Sequence, residues 1–277
     1  MIIKKIFKYF IPYFLKGIYV NFIVKIGGDF FCFFYNLKSV MFYNSETKLS
    51  YKNERYFITS KSGEKWSFSH PERGLWYLKG IKHRGKLLQE DYGVNNIKFT
   101  KNDIIIDCGA DVGDFYAGFD LDIRYIGIEP SPINYPNLKY NVKNNITYNV
   151  ALWKNSQKEI SFYESDKTKK KSITKVVDQT REIKVKTMTL DQIIDNANSN
   201  IKLIKVEGTG SEPEILEGLK KNIHKVEYIT VDSSFERGVN KDHTISECVN
   251  YLVENNFNLV EFKFKKICLL FKNKNYI

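Results

Sequence analysis

The spacing of hydrophobic positions changes near residue 99. Beyond that point short runs rich in Ile, Val, Phe and Tyr alternate with stretches of helical spacing, which predicts a parallel α/β sheet. Asp103–Ile104–Ile105–Ile106–Asp107 reads as a buried strand running straight into Cys108, Gly109, Ala110, Asp111, Val112, Gly113, Asp114 and Phe115, with a helix expected next. The following strand, Tyr125–Ile126–Gly127–Ile128, ends at Glu129, twenty residues beyond Gly109. Val226–Asp232 is a further strand. A helical stretch from Thr244 to Glu254 then precedes two runs, Phe257–Phe262 and Lys266–Phe271, patterned as a closing hairpin.

The chain before residue 99 is patterned differently. Its opening stretch, Met1 to Leu37, is aromatic and basic, but only eight uncharged residues separate Lys16 from Lys25. A membrane-spanning helix needs roughly 18 apolar residues. No secretory cleavage pattern is present either. At about 100° per residue, Lys4, Lys5, Lys8 and Lys16 project opposite Ile3, Ile6, Phe7, Phe10 and Phe14, an amphipathic arrangement. Pro12 removes a backbone donor and clashes with the preceding turn, so two short helices are expected in place of one. Such a segment either lies on anionic lipid or packs its aromatic face on the domain or a second subunit, the commoner use. The chain therefore divides into a basic aromatic segment (1–45), a lead-in or lid region (46–98) and an α/β domain (99–277).

Composition narrows the class. The chain has 277 residues, 43% hydrophobic, 15% aromatic and 27% charged, which excludes a disordered or fibrous protein. Its net charge of +11 suits nucleic acid, anionic lipid or an anionic substrate equally. The excess is nearly all Lys, accompanied by many Asn, Ile, Phe and Tyr, a bias of the whole sequence more than a binding stripe. The run from Lys167 to Lys171 reads as a solvated loop. Cys32, Cys108, Cys248 and Cys268 stand far apart without a C-x-x-C pair, so buried, reduced thiols in a cytoplasmic protein are expected.

A strand, a glycine turn, a helix and an acid ending the next strand form a nucleoside-binding unit in which the acid accepts hydrogen bonds from ribose hydroxyls. The spacing says which nucleoside. Gly109 and Gly113 make G-x-x-x-G, lacking the middle glycine that seats a pyrophosphate, and Asp111 and Asp107 place anions where phosphate would sit. Carboxylates suit a cationic ligand such as the methionine part of S-adenosylmethionine. In open α/β sheets the ligand lies beyond the carboxyl ends of the strands. Lys205, Glu207 and Asp232 are therefore the residues expected near a transferred methyl group: Glu207 first as general base, Asp232 second, Lys205 as an acceptor-orienting cation. The alternative for each is an ion pair that organises the strand ends. Glu207 and Asp232 could share a divalent ion, but nothing in the sequence requires a metal. Arg237 is the candidate clamp for an anionic acceptor, or else a tie across its loop. His243 is the one histidine near the expected site.

These residues resemble the FkbM family of S-adenosylmethionine-dependent methyltransferases over roughly Arg73 to Thr244. The family's D-x-G-A-N-x-G is matched from Asp107 to Gly113 with Asp111 in place of Asn. Its E-P-x-P is matched by Glu129–Pro130–Ser131–Pro132, with Leu138 and Asn141 following. Its T-L-D is matched by Thr189–Leu190–Asp191, and its I-K-x-[DE]-x-E-G-A-E-x-E-x-L-x-G by Ile204 to Gly218, with Thr209 replacing a Glu. Arg73–Gly80, Arg84 and Tyr92 are similar to the family's lead-in. The resemblance implies a class I methyltransferase fold, Rossmann-like, with a seven-stranded, mostly parallel sheet in order 3-2-1-4-5-7-6, flanked by helices and preceded here by an N-terminal helical, aromatic extension. It also implies S-adenosylmethionine held by Asp107, Gly109, Ala110, Asp111, Gly113, Glu129 and Ser131, with Asn149 and Ala151 near adenine. The implied reaction is O-methylation of a sugar or glycan hydroxyl, in the cytoplasm or at the inner face of the membrane if residues 1–40 bind lipid. The competing readings are a catalytically impaired module that binds partners or membrane, and a nucleic-acid methyltransferase. The latter lacks both an N-P-P-Y-type motif and a strand-end Cys nucleophile, so no nucleic-acid partner is expected.

Overall fold

The computed structural model describes residues 13–44, 46–157, 159–164, 171–172 and 181–276, the side chains of 13–19 and 171–172 excepted. Lys4, Lys5, Lys8, Pro12 and most of the Lys167–Lys171 run lie outside the described residues. The chain divides into two compact units, Met1–Arg84 and Gly85–Ile277.

The first unit begins with helices α1 (Tyr13–Ile26) and α2 (Gly28–Tyr43), separated at Gly27. An antiparallel meander follows, β1 (Thr47–Lys52), β2 (Arg55–Ser60) and β3 (Lys65–Phe68), then a 3-10 segment, Pro71–Tyr77. Its core is aromatic: Phe31, Tyr35, Tyr56, Trp66, Phe68 and Tyr77 are all buried. Tyr56 stacks on Phe68 at 5.7 Å between ring centroids and meets Phe31 edge-on at 6.0 Å. Within Arg73–Gly80, Gly74 and Tyr77 are buried in this unit, while Trp76 is exposed between the Arg73 and Arg84 guanidiniums.

Helix α3 (Ile81–Asp91) runs across the division. The second unit continues with β4 (Ile104–Cys108), β5 (Arg124–Ile128), α4 (Tyr135–Asn141), β6 (Ile146–Tyr148), β7 (Ala151–Leu152), β8 (Ile160–Glu164), β9 (Lys171–Ser172), β10 (Arg181–Val185), β11 (Thr187–Met188) and α5 (Leu190–Ala197). Then come β12 (Ile201–Val206), α6 (Glu212–Glu217), β13 (Val226–Asp232), α7 (Ile245–Glu254), β14 (Phe257–Lys263) and β15 (Cys268–Asn273). Seven strands form one sheet in the order β14-β15-β13-β12-β4-β5-β6. Numbered among themselves and read from the β6 edge, they run 3-2-1-4-5-7-6, the expected order. β15 is antiparallel to both its neighbours, and β13, β12, β4, β5 and β6 are parallel. The core of this unit is aliphatic, built on Ile104, Ile106, Ile204, Val206, Ile229 and Val231 with Leu190, Ile193 and Ile194 of α5 against it. Helix α5 starts where Thr189 and Gln192 form a reciprocal capping box.

One expected element is not formed. After Phe115 the chain makes only a 3-10 turn, Tyr116–Gly118, where a helix was expected. The eight residues between Phe115 and Arg124 do not accommodate a helix of about eleven residues with its caps. Instead the backbone at Gly118 packs on α3 so closely that a Cβ on Gly85 would stand 2.1 Å from the Gly118 nitrogen. The chain adds two small sheets outside the main one, β10-β8-β9 and β11-β7, and Lys171 of the predicted loop lies in β9. All four cysteines are buried and unpaired.

Candidate functional site

Strand alternation and register build a row of charges at the carboxyl edge of β4, β12 and β13. Lys205 lies beside Asp107 on β4 and Thr230 on β13. Its ammonium donates to Asp107 Oδ1 (2.8 Å), Gly109 O (3.0 Å) and Glu207 Oε2 (3.0 Å). Lys266, in the turn between β14 and β15, donates to Glu207 Oε1 (2.6 Å), Asp232 Oδ2 (3.0 Å) and the Tyr92 hydroxyl (2.7 Å). Both ammoniums lie over the Tyr92 ring, at 5.1 and 4.4 Å. The far ends are closed by Tyr125, whose hydroxyl donates to Asp107 Oδ2 (2.6 Å), and by Ser234, whose N–H and hydroxyl both reach Asp232 Oδ1. The result is one chain, Asp107–Lys205–Glu207–Lys266–Asp232.

This arrangement decides what its members can do. Lys205, Asp107 and Asp232 have side chains no more than 3% exposed, whereas Glu207 is 32% and Lys266 25% exposed. An ammonium has three donors, and those of Lys205 are all engaged by protein groups, so it holds Glu207 in place. Burial opposes ionisation of Glu207, but the Lys266 and Lys205 ammoniums outweigh it and hold the carboxyl well below the usual carboxylate range. Burial likewise opposes the charge on Lys205 and Lys266, and their carboxylate partners outweigh it and push both above the ordinary lysine value. Glu207 is thus a permanently ionised hydrogen-bond acceptor and a weak base. The place between Glu207 and Asp232 where a divalent ion could sit is filled by the Lys266 ammonium. Among the described residues no cluster of three His, Cys, Asp or Glu is arranged around a metal position.

The glycine turn is ordered by its own backbone. Gly109 and Ala110 direct their N–H groups to Ile128 O, Gly113 to Ala110 O, and Asp111 to Glu129 Oε2 (2.9 Å). N–H groups so engaged are not offered to a diphosphate, in keeping with the missing middle glycine. Gly109, at φ +74°, is required by protein more than by ligand, since a Cβ there would lie 2.1 Å from Glu207 O. Asp111 adopts φ 53° and accepts from the Asn134 amide, while Asn141 donates to Val112 O at 2.8 Å. Glu129 receives the Ser131 N–H on Oε1 (2.9 Å), and the Asn149 amide donates to the Glu129 and Pro130 carbonyls at 2.8 and 3.1 Å. The Ser131 hydroxyl donates to Glu164 Oε1 at 2.6 Å. Glu164 Oε2 is enclosed and has no hydrogen-bond partner. An enclosed acceptor without a donor is costly, and an adenosyl group, with its amino and hydroxyl donors, has the chemistry to satisfy it. Ala151 packs with Phe162 and Val185 in a small separate cluster.

Arg237 and His243 come together in an open depression of about 560 Å³ lined also by Phe235, Asn240, Lys241 and Asp242. The guanidinium is not poised as an anion clamp: it grips Glu214 with two nitrogens (2.9 and 2.6 Å) and donates to Gly210 O (2.6 Å), the tie across the loop. His243 Nδ1 accepts the Ile245 N–H at 3.3 Å, and its ring meets Phe235 edge-on. Behind this depression Glu212 is buried, receiving Gly208 and Gly210 N–H on Oε1 (2.8 and 3.1 Å) and the Thr244 hydroxyl on Oε2 (3.1 Å). Burial pushes its carboxyl up to about 7, against the pull of those N–H groups.

Sequence reasoning missed Lys266, Glu164, Asn134 and Glu212. Lys266 had a signal: antiparallel pairing of Asp232 with Cys268 puts the turn before Cys268 beyond the carboxyl end of β13. Glu212 stood inside the quoted motif without a role. Nothing local marks Glu164, which lies at the end of β8, outside the main sheet, and receives the Ser131 hydroxyl across 33 positions of sequence.

The family profile described as Methyltransferase FkbM domain matches residues 107–277. No curated protein matches the chain. Solved structures that resemble it include the ribosomal protein L11 methylase of Lactobacillus delbrueckii subsp. bulgaricus, at 10% identity over 70% of this chain and 78% of that one, TM-score 0.40. Aeropyrum pernix fibrillarin with natively bound S-adenosyl-L-methionine is 10% identical over 82% and 99% of the two chains, TM-score 0.40. A SAM-dependent methyltransferase from Aquifex aeolicus is 11% identical over 67% and 86%, TM-score 0.36.

Proposed function

The chain belongs to the FkbM methyltransferase family, and from that premise we propose that it methylates a hydroxyl of a sugar or glycan. S-adenosylmethionine is the cofactor and supplies, when bound, an activated methyl group for in-line transfer. Glu129, Ser131 and Glu164 are the residues that would hold its adenosyl part. Glu129 accepts the Asp111 and Ser131 N–H groups and Glu164 the Ser131 hydroxyl, and Glu164 Oε2 remains an unused acceptor for a ligand rich in donors.

The observation that carries the acceptor class is Glu207. It is the most exposed member of the charged chain, it is held ionised, and its remaining lone pairs accept only from donors. A hydroxyl meets that requirement; a carboxylate or phosphate acceptor would be repelled. Glu207 then orients the hydroxyl oxygen, while Lys205 and Lys266 keep the carboxylate fixed and charged. Because its basicity is low, the proton leaves late in transfer, after the oxygen has begun to acquire positive character.

The test is transfer from S-[methyl-³H]adenosylmethionine to a panel of mono- and oligosaccharides, with bulk RNA and DNA alongside. Label is expected on sugar as a methyl ether identifiable by mass spectrometry. Glu207→Gln is expected to lower kcat by about 10- to 100-fold with S-adenosylhomocysteine binding retained. Label on nucleic acid alone would replace the acceptor class.

A further inference from the structure

Helix α2 has no polar outer face. Phe30, Phe33, Leu37 and Val40 are 41, 63, 46 and 62% exposed. At 100° per residue they fall within an arc of roughly 80°. The buried Phe31, Cys32, Tyr35 and Ser39 occupy the opposite side. Phe22 and Ile26 on α1 are 59 and 50% exposed as well. Of the fully exposed positions on α2 only Asp29 is charged. A surface helix ordinarily turns charges outward, and while single exposed apolar residues are common, a continuous stripe marks an interaction surface.

Charge says what covers it. Residues 1–43 contain six lysines and a single acid, Asp29. Pairing two copies through this face would set like charges against each other, since helix seams are normally flanked by charges of both signs. An anionic lipid surface is attracted to the same excess. α1 and α2 have 14 and 16 residues, and no described helix is long and apolar enough to cross a membrane. The fitting mode is a helix lying in the interface. We propose that the exposed face of α2 docks on an anionic bilayer, with Phe30, Phe33, Leu37 and Val40 entering the headgroup–acyl boundary and the net positive charge of the segment drawing it to the headgroups. The surface tethers methyl transfer to a membrane, where lipid-carried acceptors are displayed.

Flotation of the full chain with vesicles containing about 30 mol % phosphatidylglycerol in phosphatidylcholine tests this. Partition is expected to be about tenfold stronger than onto pure phosphatidylcholine and to weaken with added salt. Phe33→Glu/Val40→Glu is expected to reduce it about tenfold, whereas Phe33→Leu/Val40→Leu retains it. S-adenosylhomocysteine binding, unchanged in both variants, shows that the second unit is folded. Equal partition of the glutamate variant and the native chain overturns the proposal, as does no partition of the native chain onto anionic vesicles. So does a lipid-free dimer in sedimentation that the glutamate variant dissociates, which would give the face to a second copy.

Discussion

At the β12–β13 end of the sheet every carboxylate of the charged chain meets an ammonium. At the β5 end Glu129 and Glu164 meet backbone N–H groups and a serine hydroxyl. The first end is bridged by charge: three carboxylates share two ammoniums, and both lysines have all three donors engaged. The second retains an unused acceptor, Glu164 Oε2. The three acids of the first end are thus held by ammoniums, while one of the two at the second keeps an oxygen free. An unused acceptor of that kind suits the donor-rich ligand proposed for this end.

The largest effect is expected where an ammonium is removed from the bridged end. Lys205→Met leaves buried Asp107 uncompensated and should cost about 3–5 kcal/mol in denaturant unfolding; a loss below about 1 kcal/mol would mean that the chain is not held by charge.

Next is Glu212, a buried carboxyl with neutral donors only, which shows what such an environment does when no ligand relieves it. Its folded value of about 7 lies above the ordinary 4.5, so folding takes up a proton between those values. Its contribution is therefore most favourable below about pH 4.5 and falls as pH rises to about 7, by about 3 kcal/mol. Glu212→Gln keeps the oxygen facing Gly208 and Gly210 and should flatten stability over that window. Glu207 acts in the opposite sense. Its lowered value contributes stability above the ordinary carboxylate range, and that contribution is lost only in strong acid.

At the open end, Glu164→Ala should weaken S-adenosylhomocysteine about 10- to 100-fold in calorimetry with little change in Tm, whereas Lys205→Met should change Tm most. If both variants moved both quantities alike, the two ends would not be separate in function.

The smallest effect concerns the turns that follow β4 and β12. Asp111 and Thr209, the two residues that depart from the family's motifs, both have left-handed backbone, φ 53° and 50°. Asp tolerates it, but a β-branched residue is strained there. Thr209→Asn should stabilise the protein by about 1 kcal/mol in thermal unfolding.

The sheet was legible because its signals are local. Buried strands announce themselves as runs such as Ile104–Ile106; the pairing of Asp107 with Lys205 is set by the parallel register of β4 and β12 in the structure. The roles were less legible. Lys205 was expected to orient an acceptor and Arg237 to clamp one; both are engaged by protein groups from other elements. The helix after Phe115 fails because α3 occupies its space through Gly85, a contact across 33 positions of sequence.

By itself the sequence determined the strands, the glycine turn, the acid ending β5 and the residue types gathered at the carboxyl edge, since these follow from periodicity and spacing along the chain; the strand order was implied by the family resemblance. Only the tertiary structure decided which charges neutralise each other. Lys266 arrives on a hairpin turn and Glu164 on a strand outside the main sheet. Whether a carboxylate is base, anchor or ligand acceptor depends on the donors brought within about 3 Å of it, and those donors come from distant parts of the chain.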